Sequence, residues 1–260
     1  MQSLLATFSS LFAPLSPLGI SIGIWVLVMI NVPVIRWIMG PGAEKIGISA
    51  GVVAQVTVVV IVLAQSIGWW SLLPITLVPA LGWTSETIGS RTGIPFGPYK
   101  YTEVLQPQIA HVPVLIPLAW LMMMPPAWAV GAALLPDSLI GGWVVAAAAF
   151  TAWDLYLDPQ MVKWDFWRWE KDGAYLGIPI SNYIGWFIVS FLITAALSLL
   201  SRLFGFSLEN ELRQEPLIIV FLITWLLQFI GQLFFWKLRV SAIVGFLTMG
   251  LFAVALTAAL

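Results

Sequence analysis

At 260 residues, 60% hydrophobic and only 9% charged, with a mean hydropathy of +0.98 and a net charge of −1, the chain lies well outside the composition of a soluble domain and reads as a membrane protein. No basic tract points to nucleic acid as a partner, and the absence of Cys together with a single His removes disulfides, thiolate chemistry and zinc-type clusters.

The chain opens with MQSLLATFSSLFAPLSPLG, apolar but with no basic region ahead of its hydrophobic run, so it is read as part of a mature chain starting at Met1 and not as a cleaved leader. A spanning helix needs about 20 mostly apolar residues. By that rule helices are expected near 18–38, 48–67, 70–88, 112–132, 139–157, 180–203, 216–236 and 239–259, the third interrupted by Pro74 and Pro79. In the first, Asn31 ahead of Pro33 marks a kink. Gln55, and Gln228 with Gln232 on one face of the seventh helix, read as hydrogen-bonding glue between helices before they read as ligand contacts. The expected architecture is an all-α, polytopic transmembrane bundle of about eight spans in one domain, 1–260, with no repeat and no separating linker.

Short cytoplasmic loops collect Lys and Arg. If both termini face outward, the inner side holds Arg36, Lys45, Arg91, Lys100, Lys163, Arg168, Lys171, Lys237 and Arg239, and the outer side only Arg202 and Arg213. Demoting the third segment to leave seven helices would scatter these basic loops over both sides, so the bias supports eight. The two longest connections, roughly 89–111 and 158–179, fall on the inner side and carry most of the polar and aromatic variety. In the second, KWDFWRWEKDG interleaves Trp164, Trp167 and Trp169 with charges, the pattern of an aromatic anchor at headgroup level.

Charges at bilayer depth cost roughly 2.5–3.5 kcal/mol each even on the lenient insertion scale, so those kept have a partner or a task. Asp154 lies inside the fifth helix, and Asp158 projects from the same face one turn on. Pro159 is expected to end that helix. Glu86 sits at the matching inner end of the third. Such carboxyls cannot all ionise in a low-dielectric site, so a neutral acid is held beside an anionic base. The plain alternative is that each is a helix-end group paired with Arg91, Lys100 or Lys163. Around them Phe96, Tyr99, Tyr101, Trp153, Tyr156, Tyr183 and Trp186 offer ring faces suited to a long apolar ligand or a carbocation, each worth about 0.5–2 kcal/mol to a cation. The bland reading of any one ring is packing or interfacial belt, that of Ser181 and Asn182 is capping of the sixth helix, and that of His111 is an interfacial residue.

The runs TGIPFGPYKYTEVLQPQIAHVPVLIPLAWLMM (92–123) and AWDLYLDPQMVKWDFWRWEKDGAYLGIPISNYIGW (152–186), with Glu86 ahead of them, resemble the carotenoid biosynthesis membrane-protein family, which includes the CruF-type carotenoid 1′,2′-hydratases and the bisanhydrobacterioruberin hydratases. The strings P-F-G-x-Y-x-Y-T and W-D-L-x-L-D-P-Q-M-V are the specific part, and they cover about the middle third of the chain. Positions matching the family are Glu86, Thr92, Pro95, Phe96, Gly97, Tyr99, Tyr101, Thr102, Trp153, Asp154, Asp158, Pro159, Gln160 and Asn182. The resemblance implies cofactor-independent addition of water to the terminal double bond of an acyclic carotenoid end, such as that of lycopene or γ-carotene, in a multi-pass protein of the cell membrane. Its partners would be the carotenoid drawn from the bilayer, the lipid itself and other enzymes of the pathway. The low acidity is unlike a halophile's protein and argues against a C50 substrate.

Hydration of such an alkene needs a neutral acid, a shielded tertiary cation and a positioned water that loses its proton to a base. On this reading Asp154 is the proton donor and Asp158 or Glu86 its partner and base. Phe96, Tyr99, Tyr101, Trp153, Tyr156, Asn182 and Trp186 shape the substrate site. The rival readings are a cyclase acting through the same cation and a proton-coupled transporter. A retinal-type photoreceptor is disfavoured because no Lys lies in mid-helix.

Overall fold

The computed structural model describes residues 16–212 and 215–259; the expectations for the leader and Met1, and the placing of Arg213, lie outside them. In lipid every backbone polar group must be satisfied within the chain, and these apolar runs do so as helices. They are α1 (Pro17–Met39), α2 (Glu44–Ile67), α3 (Leu72–Thr92), α4 (Leu115–Leu134), α5 (Leu139–Lys163), α6 (Ile180–Leu203), the short α7 (Leu208–Leu212), α8 (Glu215–Ile230), which continues as a π-helical turn Gly231–Phe235, and α9 (Arg239–Ala259). Ser16 caps α1 by accepting from the Gly19 amide at 2.9 Å with Pro17 in the first turn, and Ser138 caps α5 through Gly141.

Among the described residues seven apolar runs are long enough to cross a membrane, and one of them, Glu44–Thr92, holds two helices. The Gln55 amide of α2 donates to the Met122 carbonyl of α4 at 3.3 Å, and a Cβ added at Gly82 of α3 would meet the Trp120 ring at 2.6 Å. Both helices therefore flank the same turn of α4. In an unbroken helix, positions 55 and 82 would stand roughly 40 Å apart at about 1.5 Å per residue. The chain doubles back at the 3₁₀ turn Gly68–Ser71, which gives eight membrane-length helices. Pro74 lies in the first turn of α3, where its missing N–H is harmless, and α3 runs on past Pro79.

Helix α4 is the axis of the bundle, buried along almost its whole length and touching α2, α3, α5, α8 and α9. It approaches α5 so closely that a Cβ at Gly131 would lie 2.2 Å from the Gly142 carbonyl oxygen. Helix α1 packs chiefly on α2. The long connection between α3 and α4 contains β1 (Tyr99–Tyr101) and a small hairpin of β2 (Gln108–Ile109) and β3 (Val112–Pro113); the loop after α5 contains β4 (Trp167–Trp169).

Two expectations are corrected. Helix α5 does not stop at Pro159 but continues to Lys163. Proline removes the N–H that would have bonded the carbonyl four residues back. That carbonyl, of Leu155, instead accepts from the Tyr175 hydroxyl at 3.1 Å, so the gap in the ladder is filled from the following loop. The Trp-rich segment is also no headgroup anchor: Trp164 and Trp167 are buried, and β4 pairs antiparallel with β1, setting Tyr99 against Trp169, Lys100 against Arg168 and Tyr101 against Trp167.

Candidate active site

The β1–β4 ribbon explains the local sequence. Side chains alternate across a strand, so YKY and WRW send four aromatic rings to one face and Lys100 and Arg168 to the other. The basic pair is exposed and held by Glu170, at 2.7 Å from Lys100, and by Asp165, at 2.7 Å from Arg168. These contacts raise the affinity of Lys100 and Arg168 for their protons and hold the Asp165 carboxyl below its ordinary range. The aromatic face is pressed into the bundle, onto the carboxylates.

Glu86 on α3 accepts from the Tyr99 hydroxyl, from the Tyr101 hydroxyl at 2.8 Å and from the Trp120 indole N–H at 3.2 Å. Burial first, and then the charge of Glu86, push both phenols well above their ordinary range, so they stay protonated and act as donors. Asp158 accepts from the Trp167 indole at 2.6 Å, from the Trp169 indole at 3.3 Å and, on its other oxygen, from Asn182 Nδ2 at 2.7 Å. The same Asn182 nitrogen donates to Asp154 at 2.8 Å. One amide thus clips together the two carboxyls that the D-x-x-x-D spacing placed on one helix face.

Asn182 therefore does not cap α6, whose N-cap is Pro179, and neither does Ser181, which donates to the Phe96 carbonyl at 3.0 Å. The basic residues considered as partners of the carboxyls are engaged elsewhere or exposed: Lys100 pairs with Glu170, Lys163 bonds the Trp236 carbonyl and Arg91 lies on the surface. Among the described residues none of the three carboxyls has a basic counter-ion, and clustered charge of one sign is costly to hold away from bulk water.

Glu86 and Asp158 face a common cavity of about 20 Å³, bounded by Tyr99, Tyr101, Phe96, Trp120, Trp186 and Asn182. That is room for about one water molecule, and the polar partners for one are present. The Trp120 and Trp186 rings stack at 4.8 Å and 11°, and Phe96 is seated between Gly89 and Gly185, where an added Cβ would strike its ring at 2.5 and 2.8 Å. Of the ten site residues read from sequence, Glu86, Asp158, Phe96, Tyr99, Tyr101, Asn182 and Trp186 meet here. Asp154 is fully buried behind Asp158, with one oxygen lacking a hydrogen-bond partner, and does not border the cavity. Trp153 and Tyr156 do not border it either: Trp153 packs on Phe150, and Tyr156 lies against Gly245 of α9.

Next to the cavity lies an apolar chamber of about 400 Å³ between α1, α2, α4, α5 and the π-turn after α8. Ile116, Ala119, Leu157 and Trp167 border both spaces, so they are neighbours across one layer of side chains. The chamber reaches the lipid-facing surface at the exposed Ile30, Ile230 and Phe235, where α1 and α8 stand apart. Its few polar groups include Gln55, Gln160 and Gln228; Gln160 accepts from Gln232 at 3.0 Å, and Gln232 also donates to the Tyr156 carbonyl. Gln55 and Gln232 are thus interhelical glue, as read, while Gln228 lines the chamber. Sequence reasoning passed over Trp120, Trp167 and Trp169 as donors to the carboxyls. The signal that could have found Trp167 and Trp169 is that YKY and WRW both carry the period of a strand.

The family model described as carotenoid biosynthesis protein matches residues 47–252. A bisanhydrobacterioruberin hydratase of Haloarcula japonica is 30% identical over 149 residues, which is 55% of this chain and 49% of the relative, so the chain spans about half the length of that protein. No solved structure matches the chain.

Proposed function

Given that this chain belongs to the carotenoid biosynthesis protein family, we propose that it is a carotenoid hydratase that adds water to the terminal double bond of an acyclic end. The observation that carries the reading is the one-water cavity, bounded by two carboxyls and set directly beside an apolar chamber open to lipid. The hydratase name of the Haloarcula japonica relative supports it.

In the proposed mechanism the polyene end enters sideways between α1 and α8 and pushes its terminal alkene past Leu157 and Ala119 to the edge of the carboxyl cavity. The Asp154–Asp158 pair holds one proton. Asp158, the member that borders the cavity, transfers it to the less substituted alkene carbon. The alkene π electrons form the new C–H bond and leave a tertiary cation, shielded by the faces of Trp120, Trp186 and Phe96. A water held by Glu86 and the phenols donates a lone pair to the cation and gives up one proton to Glu86. The net change is one water added, with one proton moved from the aspartate pair to Glu86 and returned between turnovers. Asp154, first read as the donor, becomes the proton store behind Asp158. The environment suits the assignment: Glu86 and Asp158 receive only donors, as carboxylate anions require, whereas Asp154 has a free oxygen on which to keep the hydrogen until it passes to Asp158 for the transfer.

The test is to express the chain in cells that make an acyclic-ended carotenoid and to weigh the pigment. A product heavier by one water is expected. Unchanged mass with altered retention would indicate cyclisation, and no change across several acyclic substrates, with the protein inserted, would sink the enzymatic reading.

A further inference from the structure

A third space lies outside the site. On the aqueous face of the β1–β4 ribbon is a broad polar bowl bordered by Lys100, Thr102, Glu103, Asp165, Arg168 and Glu170. Tyr101 and Trp169 border this bowl and also the carboxyl cavity beneath it. Both side chains are half-buried, whereas their strand-mates Tyr99 and Trp167 are buried. From the floor of the bowl the Tyr101 hydroxyl reaches Glu86 at 2.8 Å and the Trp169 indole reaches Asp158 at 3.3 Å. The layer between bulk water and the carboxyls is therefore one pair of side chains, each already hydrogen-bonded to the group it covers. At Ile116, Ala119 and Leu157 the cavity adjoins the apolar chamber instead.

We propose that Tyr101 and Trp169 form an aqueous port through which water and protons reach Glu86 and Asp158 from the face carrying Lys100 and Arg168, separate from the chamber that admits the apolar substrate. The use of that water in catalysis rests on the hydratase reading; the path itself does not. Water crossing the port passes from the charged rim to a phenol and an indole N–H, and then to a carboxylate, with a polar partner at each step. Tyr101 is a positioning residue that also donates to Glu86. Trp169 covers Asp158.

The chain has no Cys, so one introduced thiol reports without background. Ala119→Cys places a thiol at the wall shared by cavity and chamber. In sealed vesicles of known sidedness, silver ion added at the Lys100 and Arg168 face is expected to consume that thiol, and Trp169→Ala is expected to speed the reaction at least tenfold. Silver added at the other face is expected to react at least tenfold more slowly. Equal reaction from both faces, or a rate indifferent to Trp169→Ala in a folded protein, overturns the port. A second arm avoids any loss of folding caused by removing Trp169. A Glu103→Cys protein, already inserted, is capped with a bulky sulfonated disulfide reagent and assayed before and after. Hydration is expected to fall at least tenfold and to return on reduction of the disulfide; an unchanged rate counts against the port. If the uncapped protein makes no hydrated product, the hydratase reading fails, and the silver arm still decides the path by itself.

Discussion

Removing the Tyr175 hydroxyl tests whether α5 depends on a loop to pass its own proline. Tyr175→Phe deletes the donor to the Leu155 carbonyl, which Pro159 leaves without a backbone partner. A net hydrogen bond is worth about 0.5–1.5 kcal/mol, and an orphaned acceptor costs about 1–3 kcal/mol where water cannot reach it. Leu155 and Tyr175 are half-buried, which places the expected loss near 1 kcal/mol. Pro159→Ala restores the N–H. In that background Tyr175→Phe should cost less than about 0.5 kcal/mol, because the carbonyl is satisfied within the helix, and the difference is the coupling energy of the cycle. Reversible unfolding of the four proteins in mixed micelles of rising denaturing-detergent fraction, followed by circular dichroism, gives the numbers. An equal cost in both backgrounds would refute the reasoning and leave the Tyr175 contact incidental to the proline.

Replacing Asn182 with Leu leaves two buried carboxyls without their common donor; bonds to charged groups are worth about 1.5–3 kcal/mol, so the same titration should register a loss on the order of 3 kcal/mol, and a neutral result would mean that the clip is not made. Glu86→Gln and Asp158→Asn should each abolish hydrated pigment in cells while immunoblots of the membrane fraction show undiminished protein; Asp154→Asn should lower turnover less than Asp158→Asn does, and the reverse order would restore Asp154 as donor. Gly131→Ala drives a Cβ to 2.2 Å from backbone and should prevent accumulation, whereas Gly23→Ala, with nothing within 4 Å, should be neutral or stabilising by about 0.5–1 kcal/mol, as read by yield and melting. Burial raises Tyr99, Tyr101 and Tyr175 above the ordinary tyrosine range; their contribution to stability is then fully present below about pH 10 and is lost as alkali ionises these groups in the unfolded chain, so pH titration of the unfolding midpoint should be flat to about pH 10 and fall above it.

The spans were legible because bilayer thickness dictates them: the α6 and α9 boundaries match the expected ones, and the others differ by one to six residues at the helix ends. The miss at α5 has a particular cause. A proline ends a helix only if nothing else satisfies the carbonyl behind it, and the partner here is sixteen positions further along the chain than Pro159. The carboxyls were legible because charge in an apolar run is conspicuous. Their donors were not, since an indole in a membrane protein is ordinarily an interfacial residue, and only strand pairing turns Trp167 and Trp169 inward. Trp153 and Tyr156 do not border the cavity for a related reason: their places in the W-D-L-x-L-D string turn them toward Phe150 and Trp186 and toward Gly245.

The chamber adjoins the carboxyl cavity at one place and opens to lipid at another, and on the proposed function it receives one polyene end at a time. On the proposed function, a carotenoid with two acyclic ends cannot pass from first hydration to second without leaving. Its other end starts near the far leaflet, because an extended carotenoid is about as long as the hydrocarbon core is thick, roughly 30 Å. The molecule must withdraw, carry a new hydroxyl through the bilayer and present itself reversed. Turnover is therefore distributive, the singly hydrated pigment builds up before the doubly hydrated one, and the ratio of the two depends on how readily lipid lets the intermediate turn over.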